Sequence, residues 1–222
     1  MHLFADRADA GRRLAESLHA YENAHNAIVL ALPRGGVPVG YEIAGRLNLP
    51  LDVYVVRKLG VPGHEELAMG ALASDGTCVV DDELIESLGI SEAALDEVVA
   101  REIAELRRRQ VVYRDARPQA EINGRTVFIV DDGLATGATM RAAASALRER
   151  GPAAIVVAVP VAAPRTCASL QRVADHVVCV HTPEPFHAVG LYYQNFEQTS
   201  DDEVRRLLAQ AAANLTGRHI SA

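Results

Sequence analysis

Two adjacent carboxylates lie in the middle of the chain, although like charges repel each other. Asp131 and Asp132 directly follow the apolar run TVFIV (126–130) and are followed closely by ATGAT (135–139), a loop of small residues. The glycine of that loop allows a close backbone approach, its threonines offer hydroxyls, and the helix expected after it offers free N–H groups. Such a loop suits a phosphate monoester, and the two acids suit the vicinal hydroxyls of a sugar, directly or through hydrated Mg²⁺.

Each part of this stretch also has a purely structural interpretation. Thr139 is a candidate N-cap of the following helix, and the two acids are candidates for an Asx turn. The complete order of strand, two acids, small loop, threonine and helix is far more specific than either part alone. The stretch as a whole therefore favours a ligand site.

Two further groups of unusual residues follow predicted strands. PRGG (33–36) follows AIVLAL (27–32), and Arg57-Lys58 follows LDVYVV (51–56) before a polar loop, VPGHEE. A basic pair at the end of a strand is more often a solvated loop. Its expected position beside PRGG and the acidic pair favours a role in the same site.

The elements that must position these residues alternate between strand and helix. The predicted strands are uninterrupted apolar runs, which are typical of a parallel sheet covered on both faces. In such sheets ligands bind beyond the carboxyl ends of the strands. The remaining strands are predicted at 153–159 and 176–180, and a hairpin is predicted around Asp75-Gly76. Helices are predicted at 6–24, 37–47, 91–116, 139–150, 164–174 and from Ser200 onward.

Composition limits the class of protein. The 222 residues are 49% hydrophobic, without repeats or linkers, and predict one domain over 1–222. The net charge of -7 argues against a dedicated nucleic-acid binder. Three separated cysteines, Cys78, Cys167 and Cys179, are expected to be reduced and buried, which indicates the cytoplasm. Neither a signal peptide nor a membrane span is expected.

VFIVDDGLATGAT (127–139) resembles the phosphoribosyl-pyrophosphate (PRPP) signature of type I phosphoribosyltransferases, and PRGG resembles their pyrophosphate-binding loop. RKLGVPGHEELAMGALA and PFHAVGLYYQNFEQTSDDEV resemble an uncharacterised bacterial subgroup. The resemblance implies an α/β fold: a parallel-sheet type I phosphoribosyltransferase fold with helices on both faces, a helical insertion over about 83–117 and a small hood region.

The resemblance also implies roles for matching residues. The acidic pair would hold the ribose hydroxyls and contact Mg²⁺ indirectly, through water or PRPP, and the small loop would surround the 5′-phosphate. Lys58, Arg34 and Asp132 are the expected catalytic residues, since cations must face the departing pyrophosphate and carboxylates the ribose. The implied PRPP-binding residues are Arg34, Gly35, Gly36, Arg57, Lys58, Asp131, Asp132, Gly133, Ala135, Thr136, Gly137, Ala138 and Thr139.

Ala135 departs from the pattern of relatives that act on 6-oxopurines, which carry an acid at this position. The hood that would recognise the acceptor is expected in the N-terminal helix or in residues 183–199. Aromatic residues are concentrated there and favour a satellite core beneath the last helix over stacking on a base. Residues 101–117 carry six arginines against three acids, which indicates a solvated face or, alternatively, a nucleic-acid or partner surface.

These observations predict Mg²⁺-dependent transfer of ribose 5-phosphate from PRPP to a nitrogen acceptor, a nucleobase or related heterocycle, with release of pyrophosphate. The alternative is a PRPP-sensing regulatory protein with little or no turnover. The expected partners are PRPP, a small-molecule acceptor and a second copy of the chain in a homodimer. Neither nucleic acid nor a membrane is expected as a partner.

Overall fold

The computed structural model describes residues 3–114 and 119–220, which form two sheets and seven α-helices within those ranges. Short 3₁₀ turns at His19–Tyr21 and Val189–Tyr192 join them. In chain order the elements are α1 (Arg7–Ser17), β1 (Ala27–Ala31), α2 (Gly36–Leu47), β2 (Leu51–Val53), β3 (Val56–Val61), β4 (His64–Ala73), β5 (Cys78–Val80), α3 (Asp82–Leu88), α4 (Glu92–Arg114), β6 (Thr126–Val130), α5 (Ala138–Arg148), β7 (Ala154–Val161), α6 (Pro164–Leu170), β8 (His176–His181) and α7 (Asp201–Ile220).

The main sheet has five parallel strands in the order β2-β1-β6-β7-β8. This arrangement confirms the α/β fold that the uninterrupted apolar runs predicted. From β1 the chain continues through α2 to β2 at one edge of the sheet, and from β6 it continues through α5 to β7 and then to β8 at the other edge. The order therefore reverses between β1 and β6, so their carboxyl ends open a crevice where ligands bind in sheets of this kind.

Alternate residues of the central strands serve two cores, one on each face of the sheet. Ile28 and Leu30 of β1 join the core that contains the alanine-rich face of α5. Ala27 and Val29 of the same strand pack instead with residues of α1 and α2. Because every residue of β1 is buried on one face or the other, the strand needs a continuous apolar sequence.

A second, antiparallel sheet of β3, β4 and β5 follows β2 and corrects the predicted course of the chain there. The second strand of the main sheet ends at Val53, and Arg57 and Lys58 lie inside β3, not in a loop. The sequence VPGHEE also contributes mainly to strands, since only Pro62 and Gly63 form the turn between β3 and β4. Within the three-stranded sheet β3 is an edge strand, where charged side chains are tolerated.

The helical insertion consists of two helices, α3 and α4, and its predicted end at 115–117 lies outside the described residues. Leu106 and Tyr113 of α4 are buried against β3, β4 and α7. The amide of Gln110 donates to the carbonyl of Ser74, and the hydroxyl of Tyr113 donates to Asp201 Oδ1 at 2.8 Å. These contacts fix α4 between the second sheet and the start of α7.

A small hood forms where the N-terminal segment meets residues 192–195. Leu3 and Phe4 donate backbone hydrogen bonds to the carbonyl of Tyr192, and the amide of Asn195 donates to the carbonyl of Ala5. The aromatic residues here form a satellite core around Phe4 and Tyr193, as predicted. This core lies against the N-terminal segment, however, and not beneath α7, which packs on α2 and α4.

The cysteines differ from the prediction of reduced, buried thiols. Cys167 of α6 and Cys179 of β8 form a disulfide, and Cys78 is exposed. The contact between α6 and β8 brings these two cysteines together. Each lies in an apolar stretch of sequence that gave no reason to expect a disulfide. Among the described residues no helix is both long and apolar enough to cross a membrane.

Candidate active site

The PRGG turn and the acidic pair meet at the crevice between β1 and β6. A Cβ atom added to Gly35 would lie 2.0 Å from Asp132 Oδ2, and one added to Gly36 would lie 2.5 Å from the carbonyl oxygen of Val130. Real Cβ atoms essentially never approach other heavy atoms closer than 3.0 Å. The two glycines therefore allow the start of α2 to contact the end of β6 directly.

Asp131 and Asp132 lie half-buried at the end of β6. The amide of Asp132 donates to Asp131 Oδ1 at 2.9 Å, and Arg7 Nε donates to Asp132 Oδ2 at 2.8 Å. Burial raises the pKa of Asp131 well above its usual range, and the charge of Asp132 raises it further. Burial also raises the pKa of Asp132, although Arg7 opposes this shift. Hydroxyl groups or a cation near the pair would offset this cost of burying two acids.

Arg7 of α1 is a site residue that the sequence analysis missed. Its Nη1 donates to the carbonyl of Glu197 at 2.7 Å, and its guanidinium carbon lies 3.9 Å from the centre of the Phe196 ring. Tyr193 contacts the same acid, because its hydroxyl donates to the carbonyl of Asp132 at 2.5 Å. Both predicted parts of the hood, the N-terminal helix and residues 183–199, thus contact the acidic pair. No local pattern distinguishes Arg7 from the other arginines of α1.

The small loop turns sharply into α5. Gly137 has a φ of +70° at the N-cap position, a left-handed conformation that glycine adopts without strain. No side chain caps the helix, so the structural alternative in which Thr139 is the N-cap is wrong. Thr166 Oγ1 donates to the carbonyl of Ala135 at 2.6 Å and fixes the loop from α6. The first N–H groups of α5 have no partners within the helix, and Thr139 lies exposed in this first turn.

A cavity of about 470 Å³ opens beside these elements. Asp131 and Thr139 lie on its wall, together with Leu32 and Pro33 from the end of β1 and the PRGG turn. Its other wall comes from β3, β4 and α4. The residues on that wall are Val56, Arg57, Lys58, Gly60, Glu65, Arg101, Glu102 and Arg109.

The part of the cavity wall formed by β3 and α4 is rich in arginines held by ion pairs. Glu102 is buried and accepts from Arg57 Nε at 2.7 Å and from Arg101 Nε at 3.4 Å. Arg109 Nε donates to Glu105 at 2.8 Å, and Arg108 contacts the same carboxylate from outside the cavity wall. These arginines lower the pKa of Glu105 to about 2. Part of the arginine-rich helix thus faces the candidate site and is not simply a solvated face.

Other predicted residues have more peripheral positions. Arg34 Nη1 lies 3.8 Å from Asp201 Oδ1 at the start of α7, and Arg34 is not among the residues on the cavity wall. Gly133 packs against Val189 and Val161, next to the hood. Thr136 is exposed, its Oγ1 accepts from the amide of Ala138 at 3.4 Å, and its carbonyl accepts from Arg141. The structure therefore brings together Lys58, Arg57, Asp131 and Thr139 but directs Arg34 elsewhere.

The carboxylates alone do not build a metal site. Within 3–114 and 119–220 no group of three or more His, Cys, Asp or Glu side chains is arranged to hold a metal ion. Asp131 and Glu65 are separate oxygen donors on the cavity wall. A magnesium ion prefers six oxygen ligands and usually keeps several waters. The residues present therefore fit a magnesium ion only if a ligand and water supply most of its coordination.

The fold and the site define an α/β protein in which an acidic pair and a small loop follow the central strand β6, beside a cavity that is also lined by cations of β3 and α4. The phosphoribosyl transferase domain model matches residues 4–194. Two Mycobacterium tuberculosis proteins, from strains CDC 1551 / Oshkosh and ATCC 25618 / H37Rv, are each 48% identical over 211 residues and carry provisional names as phosphoribosyl transferases. The crystal structure of TT1426 from Thermus thermophilus is 42% identical with a TM-score of 0.87, and the match covers 95% of this chain and 99% of that one.

The chain belongs to the phosphoribosyl transferase domain family. The match to the two mycobacterial proteins covers 95% of this chain but 47% of the length of each mycobacterial protein. The chain therefore spans about half the length of these curated relatives.

Proposed function

We propose that the protein transfers ribose 5-phosphate from PRPP to a nitrogen acceptor, a nucleobase or related heterocycle, and releases pyrophosphate. The observation that carries this proposal is that Asp131, Thr139, Arg57 and Lys58 all line one cavity. PRPP presents hydroxyl groups, a phosphate monoester and a diphosphate, and this cavity offers groups complementary to each of them. Family membership supports the same reaction class.

In this reaction the acceptor nitrogen forms a bond to C1 of the ribose as the bond between C1 and the diphosphate oxygen breaks. The electron pair of that bond leaves with pyrophosphate, and the acceptor releases a proton. Positive charge develops on the ribose ring and negative charge on the diphosphate. Asp131 and Asp132 would hold the ribose hydroxyls and stabilise the positive charge on the ring. Lys58 and Arg57 would stabilise the negative charge on the diphosphate.

The loop over 135–139 would bind the 5′-phosphate through backbone N–H groups of the first turn of α5 and the hydroxyl of Thr139. The PRGG turn would supply part of the wall beside the diphosphate through Pro33. Mg²⁺ would neutralise the diphosphate when bound, and the acidic pair would contact it indirectly. Because few protein carboxylates face the cavity, most of its ligands would be oxygens of PRPP and water.

The second candidate function is a PRPP-responsive regulator that keeps the pocket and has lost turnover. The arginine-rich segment suggested it, since a basic helix can contact a nucleic acid. The positions of Arg101 and Arg109 on the cavity wall favour a small-molecule role for these two residues. The net charge of -7 also favours the enzyme. A homodimer and a cytoplasmic location stay predictions from the sequence.

The test is to measure pyrophosphate release from PRPP and Mg²⁺ with a panel of acceptors: adenine, hypoxanthine, guanine, uracil and orotate. A parallel titration follows protein stability with PRPP. Binding of PRPP at 100 times its dissociation constant adds about 2.7 kcal/mol to the free energy of unfolding. We expect stabilisation by PRPP and acceptor-dependent pyrophosphate release. Stabilisation without release for any acceptor would favour the regulator, and the absence of both would refute the pocket.

A further inference from the structure

The helical insertion contributes two arginines to the cavity, and neither belongs to the PRPP signature or to the PRGG turn. Arg101 and Arg109 of α4 lie on the cavity wall with Arg57 and Lys58 of β3. Asp131 and Thr139 line the same cavity, whose volume is about 470 Å³. An anion bound in this space would therefore meet cations from two different elements.

The ion pairs on this wall orient the cations through one nitrogen of each guanidinium group. Glu102 accepts from the Nε atoms of Arg57 and Arg101, at 2.7 and 3.4 Å. A guanidinium group has five N–H donors, so each of these bonds leaves the two terminal nitrogens for another acceptor. Arg109 uses Nε in the same way on Glu105, at 2.8 Å. The carboxylates hold three guanidinium groups in place, which lowers the entropy lost when they bind an anion.

The spacing on α4 also suits an elongated anion. Arg101 and Arg109 are eight residues apart, so their backbones are separated by about 12 Å along the helix axis. Long side chains from these two positions can approach a diphosphate from its two ends. The helix itself is fixed, because Leu106 and Tyr113 are buried and Gln110 contacts Ser74 across the second sheet.

Arg34, the cation expected from the PRGG turn, lies beside Asp201 and leaves this part of the site to α4 and β3. We propose that Arg101 and Arg109 bind the diphosphate of PRPP, so that the insertion α4 forms the pyrophosphate wall of the site. This inference rests on the proposed function, since it assigns the diphosphate part of the same ligand.

The matched control is Arg108, which is adjacent to Arg109 and pairs with the same Glu105, but which does not line the cavity. The variants Arg101→Gln, Arg109→Gln and Arg108→Gln each remove one charge from α4. Calorimetric titrations with PRPP, inorganic pyrophosphate and ribose 5-phosphate measure binding, and thermal unfolding checks that each variant folds. An Arg101→Lys variant retains the charge but removes the planar group.

We expect Arg101→Gln and Arg109→Gln to weaken PRPP and pyrophosphate binding by about 10-fold or more, because each loses a charge-assisted contact. The affinity of these two variants for ribose 5-phosphate, which lacks the diphosphate, should stay within about 2-fold of the wild-type value. The affinity of Arg108→Gln for all three ligands should also stay within about 2-fold of the wild-type value. Arg101→Lys should give an intermediate loss for pyrophosphate, since lysine keeps the charge but not the planar arrangement of donors.

Wild-type affinity for pyrophosphate in both glutamine variants would overturn the assignment and leave the proposed function intact. A rise in the KM for the acceptor alone in these variants would likewise overturn the assignment, because α4 would then contact the acceptor and not the diphosphate. An equal loss for ribose 5-phosphate would also overturn it. If the wild-type protein bound pyrophosphate through these arginines but did not bind PRPP, the proposed function would fail and the anion site would stand. Binding of neither ligand would refute both.

Discussion

Replacing Gly35 with alanine tests the contact between the PRGG turn and the acidic pair. Gly35 has φ -61° and ψ -32°, which any residue adopts, so the backbone itself would not be strained. The new Cβ would lie 2.0 Å from Asp132 Oδ2, whereas ordinary contacts begin at 3.4 Å, so the carboxylate would have to retreat by about 1.4 Å. That movement would disturb the hydrogen bond of 2.8 Å from Arg7.

Two effects set the magnitude of the loss. Overpacking of this kind costs about 1–3 kcal/mol, and loss of a hydrogen bond to a charged group costs about 1.5–3 kcal/mol. Because the Asp132 side chain is 15% exposed and keeps a small part of its solvation, we expect Gly35→Ala to lower the free energy of unfolding by about 2–4 kcal/mol. PRPP binding should weaken in parallel, since Asp132 is the proposed ribose ligand.

A double-mutant cycle assigns this loss to the contact. Urea denaturation of Gly35→Ala, Asp132→Ala and the double variant gives the coupling between the two positions. In the Asp132→Ala background the added methyl group no longer meets a carboxylate, so its cost should fall below about 1 kcal/mol. Gly45→Ala in the same helix is the control, because no heavy atom beyond the adjacent helix backbone lies within 4 Å of its added Cβ. An equal loss from Gly35→Ala in both backgrounds would refute the reasoning.

Three further predictions concern the chemistry. Lys58→Ala should lower turnover by about 10²–10³-fold with a smaller effect on PRPP binding, because Lys58 would contact negative charge that develops on pyrophosphate. Single-turnover kinetics measure this, and an unchanged rate would remove Lys58 from the site. Thr139→Val should weaken binding of ribose 5-phosphate, measured by calorimetry, whereas Thr139→Ser should not; equal losses in the two would point to packing and not to the hydroxyl. Hypoxanthine and guanine should be poor acceptors relative to adenine, uracil and orotate, because a positioned acid or base contributes about 10²–10⁴-fold and Ala135 has none. Glu184, within the predicted hood segment 183–199, is the acid that could take this role instead; efficient turnover of either base that survives Glu184→Gln would contradict this expectation.

The main sheet could be predicted from the sequence because its central strands β1, β6 and β7 are buried on both faces and must be apolar nearly throughout. The predicted strand TVFIV matches β6, and the predicted strand at 27–32 differs from β1 by one residue. The turn at Asp75-Gly76 was also predictable, since Gly76 has a φ of +89°, where side chains are rarely tolerated. Local chemistry determined these elements.

The second sheet could not be predicted in the same way. Arg57 and Lys58 interrupt the apolar pattern, and the usual interpretation of such a pair is a loop, but an edge strand accepts them because one of its sides is unpaired. Their neighbours across the strand, Leu72 and Ala71, are 15 and 13 residues later in the chain, and nothing local indicates that pairing.

The contribution of α4 to the cationic wall and the role of Arg7 in the hood were missed for a related reason. Arg7 lies 125 residues from Asp132 in sequence, and Glu102 lies 45 residues from Arg57. Arginine and glutamate are common on exposed helices, so their types and spacing carry no signal of a shared site. Only the tertiary arrangement separates Arg109 from its neighbour Arg108.

The hood has a consequence for the order in which the chain folds. Phe4 pairs with Tyr193, so two segments separated by most of the chain must come together to complete the surroundings of Asp132. Contacts between residues so far apart in the sequence form slowly, because the entropy of closing a long loop must be lost first. During synthesis from the N-terminus, β1 and β6 can pair before residue 193 leaves the ribosome. Arg7 would therefore reach its place on Phe196 only as one of the last steps of folding.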